Sequence, residues 1–180
     1  ERFLILTSVP GLALAREVYR EALALGALPV VRTMHPELEE LLYRCGNDDQ
    51  VKFVPEYEKQ ELESLDARLV IRGDENVMTL AGVDSARLTI GRQARRTLLE
   101  RMMARKAAGE LKNCLTQYPT NASAQEAGMS LADYEEFVFR ACFADRPDPI
   151  AAWRELSGEQ QARVDFLNGV KMLRVEGPDT

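Results

Sequence analysis

The chain holds a single histidine, His35, and this bounds the chemistry open to it. A metal hydrolase needs several His, Asp or Glu ligands converging on the ion, with a general base beside them. His35 and Glu39 stand four apart, the spacing of one helix face, but Pro36 puts the histidine at a helix start, where a capping or surface role is the ordinary reading. The carboxylates of Glu39-Glu40, Asp133, Glu135-Glu136 and the Asp145-Arg146-Pro147-Asp148 turn fall on polar helix faces or loops, where solvation is their usual fate.

Other reaction classes fare no better. Ser8-Val9-Pro10-Gly11 follows an apolar run but matches neither GxGxxG nor GxxxxGK[ST], the loops that cradle phosphates. No GxSxG elbow is present, and a serine or thiol nucleophile would have only His35 as an imidazole base. Cys45, Cys114 and Cys142 are an odd, widely spaced set without a CxxC pair, which suits reduced thiols better than a disulfide frame or a zinc knuckle. The residues therefore assign no catalytic, cofactor-binding or metal-ligating position.

The most asymmetric charge feature lies between Asp84 and Ala108. Seven positive side chains (Arg87, Arg92, Arg95, Arg96, Arg101, Arg105 and Lys106) face two negative ones, a net +5 that leaves −11 for the rest of the chain. A basic helix can be a nucleic-acid footprint, but no aromatic residue is interleaved for stacking on bases. A solvated face, or a contact with an acidic surface, is the expected role.

The elements that must position these residues alternate. Strands are expected at Phe3–Thr7, Leu28–Thr33, Ala67–Arg72, Leu111–Tyr118 and Val170–Val175, as short apolar runs between turn residues. Helices are expected at Gly11–Leu25, from Pro36 to about Cys45, at Pro55–Asp66, from Asp84 or Ser85 to about Ala107, and at Asn121–Gly128, Leu131–Ala144 and Pro149–Gly169. Gly46-Asn47-Asp48-Asp49 reads as a polar turn. This alternation predicts an α/β fold: a single three-layer domain with a mostly parallel sheet and helices on both faces, Rossmann- or flavodoxin-like. Ligands of such sheets meet the carboxyl ends of the strands. That places Arg72, Asp74, Asn76, Thr120 and Asn121 toward a cleft.

At 180 residues, 46% hydrophobic and 29% charged, the chain is long enough to bury a core. A net charge of −6 disfavours nucleic acid and anionic membranes as partners. The apolar runs are too short to span a bilayer, and no leader precedes them. Asn121-Ala122-Ser123 fits a glycosylation acceptor, which matters only in a secreted protein. Glu1 leads directly into one strand-like run and Gly177-Pro178-Asp179-Thr180 follows another, so the chain reads as cut from something longer.

Three segments resemble the thermophilic metallo-aminopeptidase family. They are Ile71-Arg72-Gly73-Asp74-Glu75-Asn76 with Leu80-Ala81-Gly82-Val83-Asp84; Tyr118-Pro119-Thr120 leading through Ala124-Gln125-Glu126-Ala127-Gly128-Met129-Ser130 to Tyr134–Ala141; and Asp165-Phe166-Leu167-Asn168-Gly169 with the closing Gly177–Thr180. They stand in family order and spacing, and a looser likeness covers nearly the whole chain. The chain departs from the family in lacking a helix upstream of the first strand, and Asn121 stands where relatives often place an apolar residue. The resemblance implies a cytoplasmic, homodimeric exopeptidase that removes amino-terminal residues from peptides with two divalent metals, zinc or cobalt. It also implies that residues 1–180 are the amino-terminal domain, partnered by a carboxyl-terminal catalytic domain that holds the metal ligands. No metal-binding residue is carried over. The alternative is a free-standing α/β module that binds a small anion at the carboxyl edge of the sheet.

Overall fold

A computed structural model describes residues 1–177. The chain divides into two compact units, one from Glu1 to Tyr134 and one from Glu135 onward. In chain order, the first contains β1 (Arg2–Thr7), α1 (Leu12–Ala24), β2 (Leu28–Thr33), α2 (Pro36–Cys45), α3 (Asp48–Lys52), α4 (Glu56–Ser64), β3 (Ala67–Arg72), α5 (Ser85–Ala94), α6 (Arg96–Ala107), β4 (Lys112–Gln117) and α7 (Asn121–Glu126). Then come α8 (Leu131–Ala141) and α9 (Pro149–Asn168).

The four strands form one parallel sheet in the order β2-β1-β3-β4. Consecutive strand residues point to opposite faces, so β1 feeds two separate cores. Leu4 packs with Leu62, Leu65 and Leu111, joined by Leu98 and Met102, which puts α4 and α6 on one face. Ile5 packs with Ala15 and Ile71, joined by Leu14 and Val18, which puts α1 on the other. Ile5 and Ile71 are fully buried. The expected three-layer α/β architecture is present.

α1 ends as its sequence foretells. Gly26 adopts φ +75°, and the N–H groups of Gly26 and Ala27 reach the carbonyls of Leu23 and Ala22 at 3.0 and 2.9 Å. This is a Schellman closure, in which a left-handed residue turns the chain back over the last carbonyls.

Three expectations need correction. Asn47-Asp48-Asp49 opens the short helix α3 rather than a plain turn, because the Asn47 side chain accepts from Gln50 N at 2.9 Å while Gln50 Oε1 accepts from Asn47 N at 2.7 Å. This reciprocal capping box satisfies two otherwise orphaned donors. The helix expected from Asp84 to Ala107 is interrupted at Arg95, which sits at φ −90°, ψ 0°. No strand forms at Val170–Val175: the described residues there have no ladder partner, and Met172, Leu173 and Val175 are exposed. Residues 178–180 of the third family-like segment lie outside the described residues.

In the second unit, Asp148 caps α9 by accepting from Ala151 N at 2.9 Å. Trp153 meets Phe143 edge to face, centroids 5.3 Å apart, and donates through Nε1 to Cys142 O at 2.9 Å.

Candidate functional site

The β1-to-β2 crossover packs α1 on one face of the sheet, and the β3-to-β4 crossover packs α6 on the other. The chains leaving the adjacent strands β1 and β3 therefore diverge, and a crevice opens at their carboxyl ends. It has a volume of about 250 Å³ and is lined by Ser8, Met34, Glu37, Glu40, Asp74 and Asn76, among others.

Its floor is tightly built. Ser8 N donates to Ile71 O at 3.2 Å, and Met34 N donates to Thr7 O at 2.7 Å. The loop after β1 turns so closely over β3 that a Cβ on Gly11 would lie 2.5 Å from Thr7 Oγ1, and one on Gly73 would lie 2.9 Å from Ser8 Oγ. Among the described residues the buried Ser8 hydroxyl has no hydrogen-bond partner.

The loop after β3 is held from two sides. Asn76 Oδ1 accepts from Met78 N at 2.9 Å, and Thr79 Oγ1 donates to Asn76 O at 2.8 Å. Thr120 Oγ1 donates to Asp74 O at 2.7 Å, and also accepts from Ser123 N at 3.2 Å as the cap of α7. Of the five residues expected to face a cleft, Asp74 and Asn76 line the crevice, and buried Thr120 positions Asp74 through its backbone. Arg72 and Asn121 are exposed and are not among the lining residues. Arg72 follows fully buried Ile71, so the pleat turns it to the opposite face. Asn121 begins α7 beyond the capping threonine.

Four carboxylates (Glu37, Glu40, Asp74 and Glu75) stand among the lining residues, with no Lys, Arg or His. Glu40 is paired with Arg44 at 2.7 Å, and Glu37 lies 3.1 Å from His35 Nδ1. The backbone N–H of Glu37 itself, with help from His35, holds that carboxyl below its usual range. Such a rim attracts positive groups and repels the small anion of the alternative reading. Ser8 and Met34 directly follow the strands β1 and β2, but Glu37 and Glu40 arrive from α2, whose docking beside the β3 loop is a tertiary fact.

His35 occupies the N-cap position of α2 without a side-chain cap bond. Its Nε2 lies 2.9 Å from Thr33 Oγ1. Among the described residues no group of three His, Cys, Asp or Glu side chains could hold a metal ion. These residues therefore do not fit a metal pair. Among them also, no helix is long and apolar enough to cross a membrane.

The basic α5–α6 segment finds its acidic surface within the chain. Arg95 pairs with Glu58 and Arg101 with Glu63, both on α4, at 2.6 Å. Buried Arg105 donates to Leu62 O, and Arg87 to Tyr43 O and Gly46 O. These carbonyls belong to the carboxyl ends of α4 and α2, where helices leave acceptors unpaired.

The strand order and the crevice at the switch point define a doubly wound α/β domain of the flavodoxin type. The chain belongs to the thermophilic metalloprotease (M29) family, whose model matches residues 1–180. Aminopeptidase 2 of Geobacillus stearothermophilus is 40% identical over 77 residues, covering 37% of this chain and 19% of that one. Among solved structures, wild-type AmpT from Thermus thermophilus matches with a TM-score of 0.71 at 17% identity, over 93% of this chain and 43% of that chain. That second likeness is one of fold. The chain spans less than half the length of either relative.

Proposed function

We propose that this chain is the amino-terminal, non-catalytic part of a metal-dependent aminopeptidase, serving as scaffold and as one wall of the substrate cleft. The observation that carries the reading is the family match along residues 1–180, in a chain that covers 43% of the AmpT structure. The two divalent ions, zinc or cobalt, are then assigned to a catalytic part outside residues 1–180, since the described residues offer no ligand group. The acidic crevice gives the wall a task. Its carboxylates, of which Glu40 is paired with Arg44 and Glu37 lies beside His35, raise the local concentration of positively charged peptide amino termini. A homodimer, peptide substrates, the protein's own catalytic domain as partner and a cytoplasmic setting complete the proposal.

The test compares hydrolysis of leucyl-p-nitroanilide by the full-length protein and by residues 1–180, each with and without a chelator. Chelator-sensitive cleavage by the full-length protein alone supports the reading. Cleavage by the pure 180-residue chain, or none by the full-length protein, overturns it.

A further inference from the structure

A second cavity, of about 400 Å³, lies between the sheet and helices α4 and α6. Its size falls within the range of about 300–1,000 Å³ typical of small-molecule sites, which combine apolar walls with a few convergent polar groups. Leu4, Leu6, Leu62, Leu98 and Met102 form its apolar wall.

The polar groups do not balance. Three guanidiniums, Arg32, Arg68 and Arg95, line the cavity against two carboxylates, Glu58 and Glu61. Both carboxylates are committed elsewhere: Arg32 holds Glu61 at 2.7 and 3.0 Å, and Arg95 holds Glu58 at 2.6 and 3.3 Å. Arg68, projecting from β3 and half-buried, is left with Met102 Sδ at 3.1 Å and Asn113 Oδ1 at 3.4 Å, and forms no ion pair with a described residue. Burial depresses its basicity, with only partial compensation from Glu61. A desolvated cation with neutral partners gains most from an anion that can enter an apolar cavity.

We propose that this cavity binds a small apolar carboxylate, its hydrocarbon part against Leu62, Leu98 and Met102 and its carboxylate on Arg68. Neither the crevice nor the peptidase reading requires such a site, and its failure would leave both untouched.

The experiment is isothermal titration of the full chain with sodium octanoate and, separately, with neutral octanamide of the same length. Saturable binding of octanoate, about ten-fold or more tighter than octanamide, is expected from a charge-assisted contact beside an apolar wall. Arg68→Met, checked for native far-ultraviolet circular dichroism, should bring the two ligands to equal affinity, and Arg68→Lys should keep octanoate ahead. Equal affinity of the two ligands for the unaltered chain, unchanged octanoate affinity in Arg68→Met, or no saturation at millimolar octanoate would each overturn the proposal. If Arg68→Met does not fold, the octanoate and octanamide comparison on the unaltered chain decides alone.

Discussion

Thr120 Oγ1 donates a 2.7 Å hydrogen bond to the backbone carbonyl of Asp74, across 46 residues of sequence. The same oxygen accepts from Ser123 N at 3.2 Å, so one hydroxyl both fixes the loop after β3 and caps α7. A side chain with two such roles in a buried position costs more to replace than a surface cap does.

Thr120→Val keeps the shape and removes both bonds. It leaves the Asp74 carbonyl and the first turn of α7 unsatisfied, and should destabilise the chain by about 1–3 kcal/mol. Thr120→Ser should lose less than half as much. Urea unfolding monitored by circular dichroism measures both, and a neutral Thr120→Val would show that the Asp74 loop is held by other contacts.

Gly11 and Gly158 make opposite predictions for the same substitution. A Cβ at Gly11 would press on Thr7 Oγ1 at 2.5 Å and Ile71 Cγ2 at 2.9 Å, both fully buried. Gly11→Ala should therefore cost about 1–3 kcal/mol through overpacking. Gly158 lies within α9, with nothing near the position its Cβ would take. There Ala should stabilise the helix by about 0.5–1 kcal/mol. The two changes in denaturation midpoint should have opposite signs.

Arginines of the basic segment should divide by what they touch. Arg105→Met removes a buried donor to Leu62 O and to Glu110, and should cost about 2–3 kcal/mol, the scale of hydrogen bonds from charged groups. Among the described residues Arg96 pairs only with Glu100, one helical turn on, with both side chains well exposed. Arg96→Ala should leave the denaturation midpoint nearly unchanged. Equal effects would mean that the stripe acts through net charge rather than through these contacts.

Local signals in the sequence were reliable where structure is local. The bounds of β2 and β3 were legible at Leu28–Thr33 and Ala67–Arg72, because apolar runs there end at turn residues. Asn47 misled because the residues that make turns also make caps, and Gln50 three positions on was the overlooked sign of a capping box. Val170–Val175 has strand composition, but pairing is a non-local event that composition cannot supply. At the crevice, sequence placed Asp74 and Asn76 at a strand end. The turning away of Arg72, the arrival of Glu37 and Glu40, and the internal pairing of Arg95 and Arg101 with α4 all depend on packing between elements distant in sequence.

The stability of the chain should fall on both sides of neutrality, for opposite reasons. Hydrogen bonding from Arg101 holds the Glu63 carboxyl below its ordinary value, and the Arg2 backbone N–H does the same for Asp66. A group whose pKa is depressed in the folded state stabilises at pH values above its unfolded pKa, and that contribution is lost as pH falls through the folded value. The acid limb should therefore begin below the ordinary carboxylate pKa values of about 4–4.5 and steepen toward lower pH. Lys112 runs the other way: its bond to Glu1 raises its pKa, so its contribution is complete below the unfolded value and fades as pH rises through the folded one, above about 10.4. Thermal melts from pH 2 to 11 should thus show a plateau between these limits. Because all three groups are exposed, added salt should flatten both limbs. Asp66→Asn should shrink the acid limb and leave most of the alkaline limb in place, because Lys112 is raised chiefly by Glu1 and only least by the charge of Asp66. An acid limb unchanged in that variant would show that the Arg2–Asp66 contact does not set it.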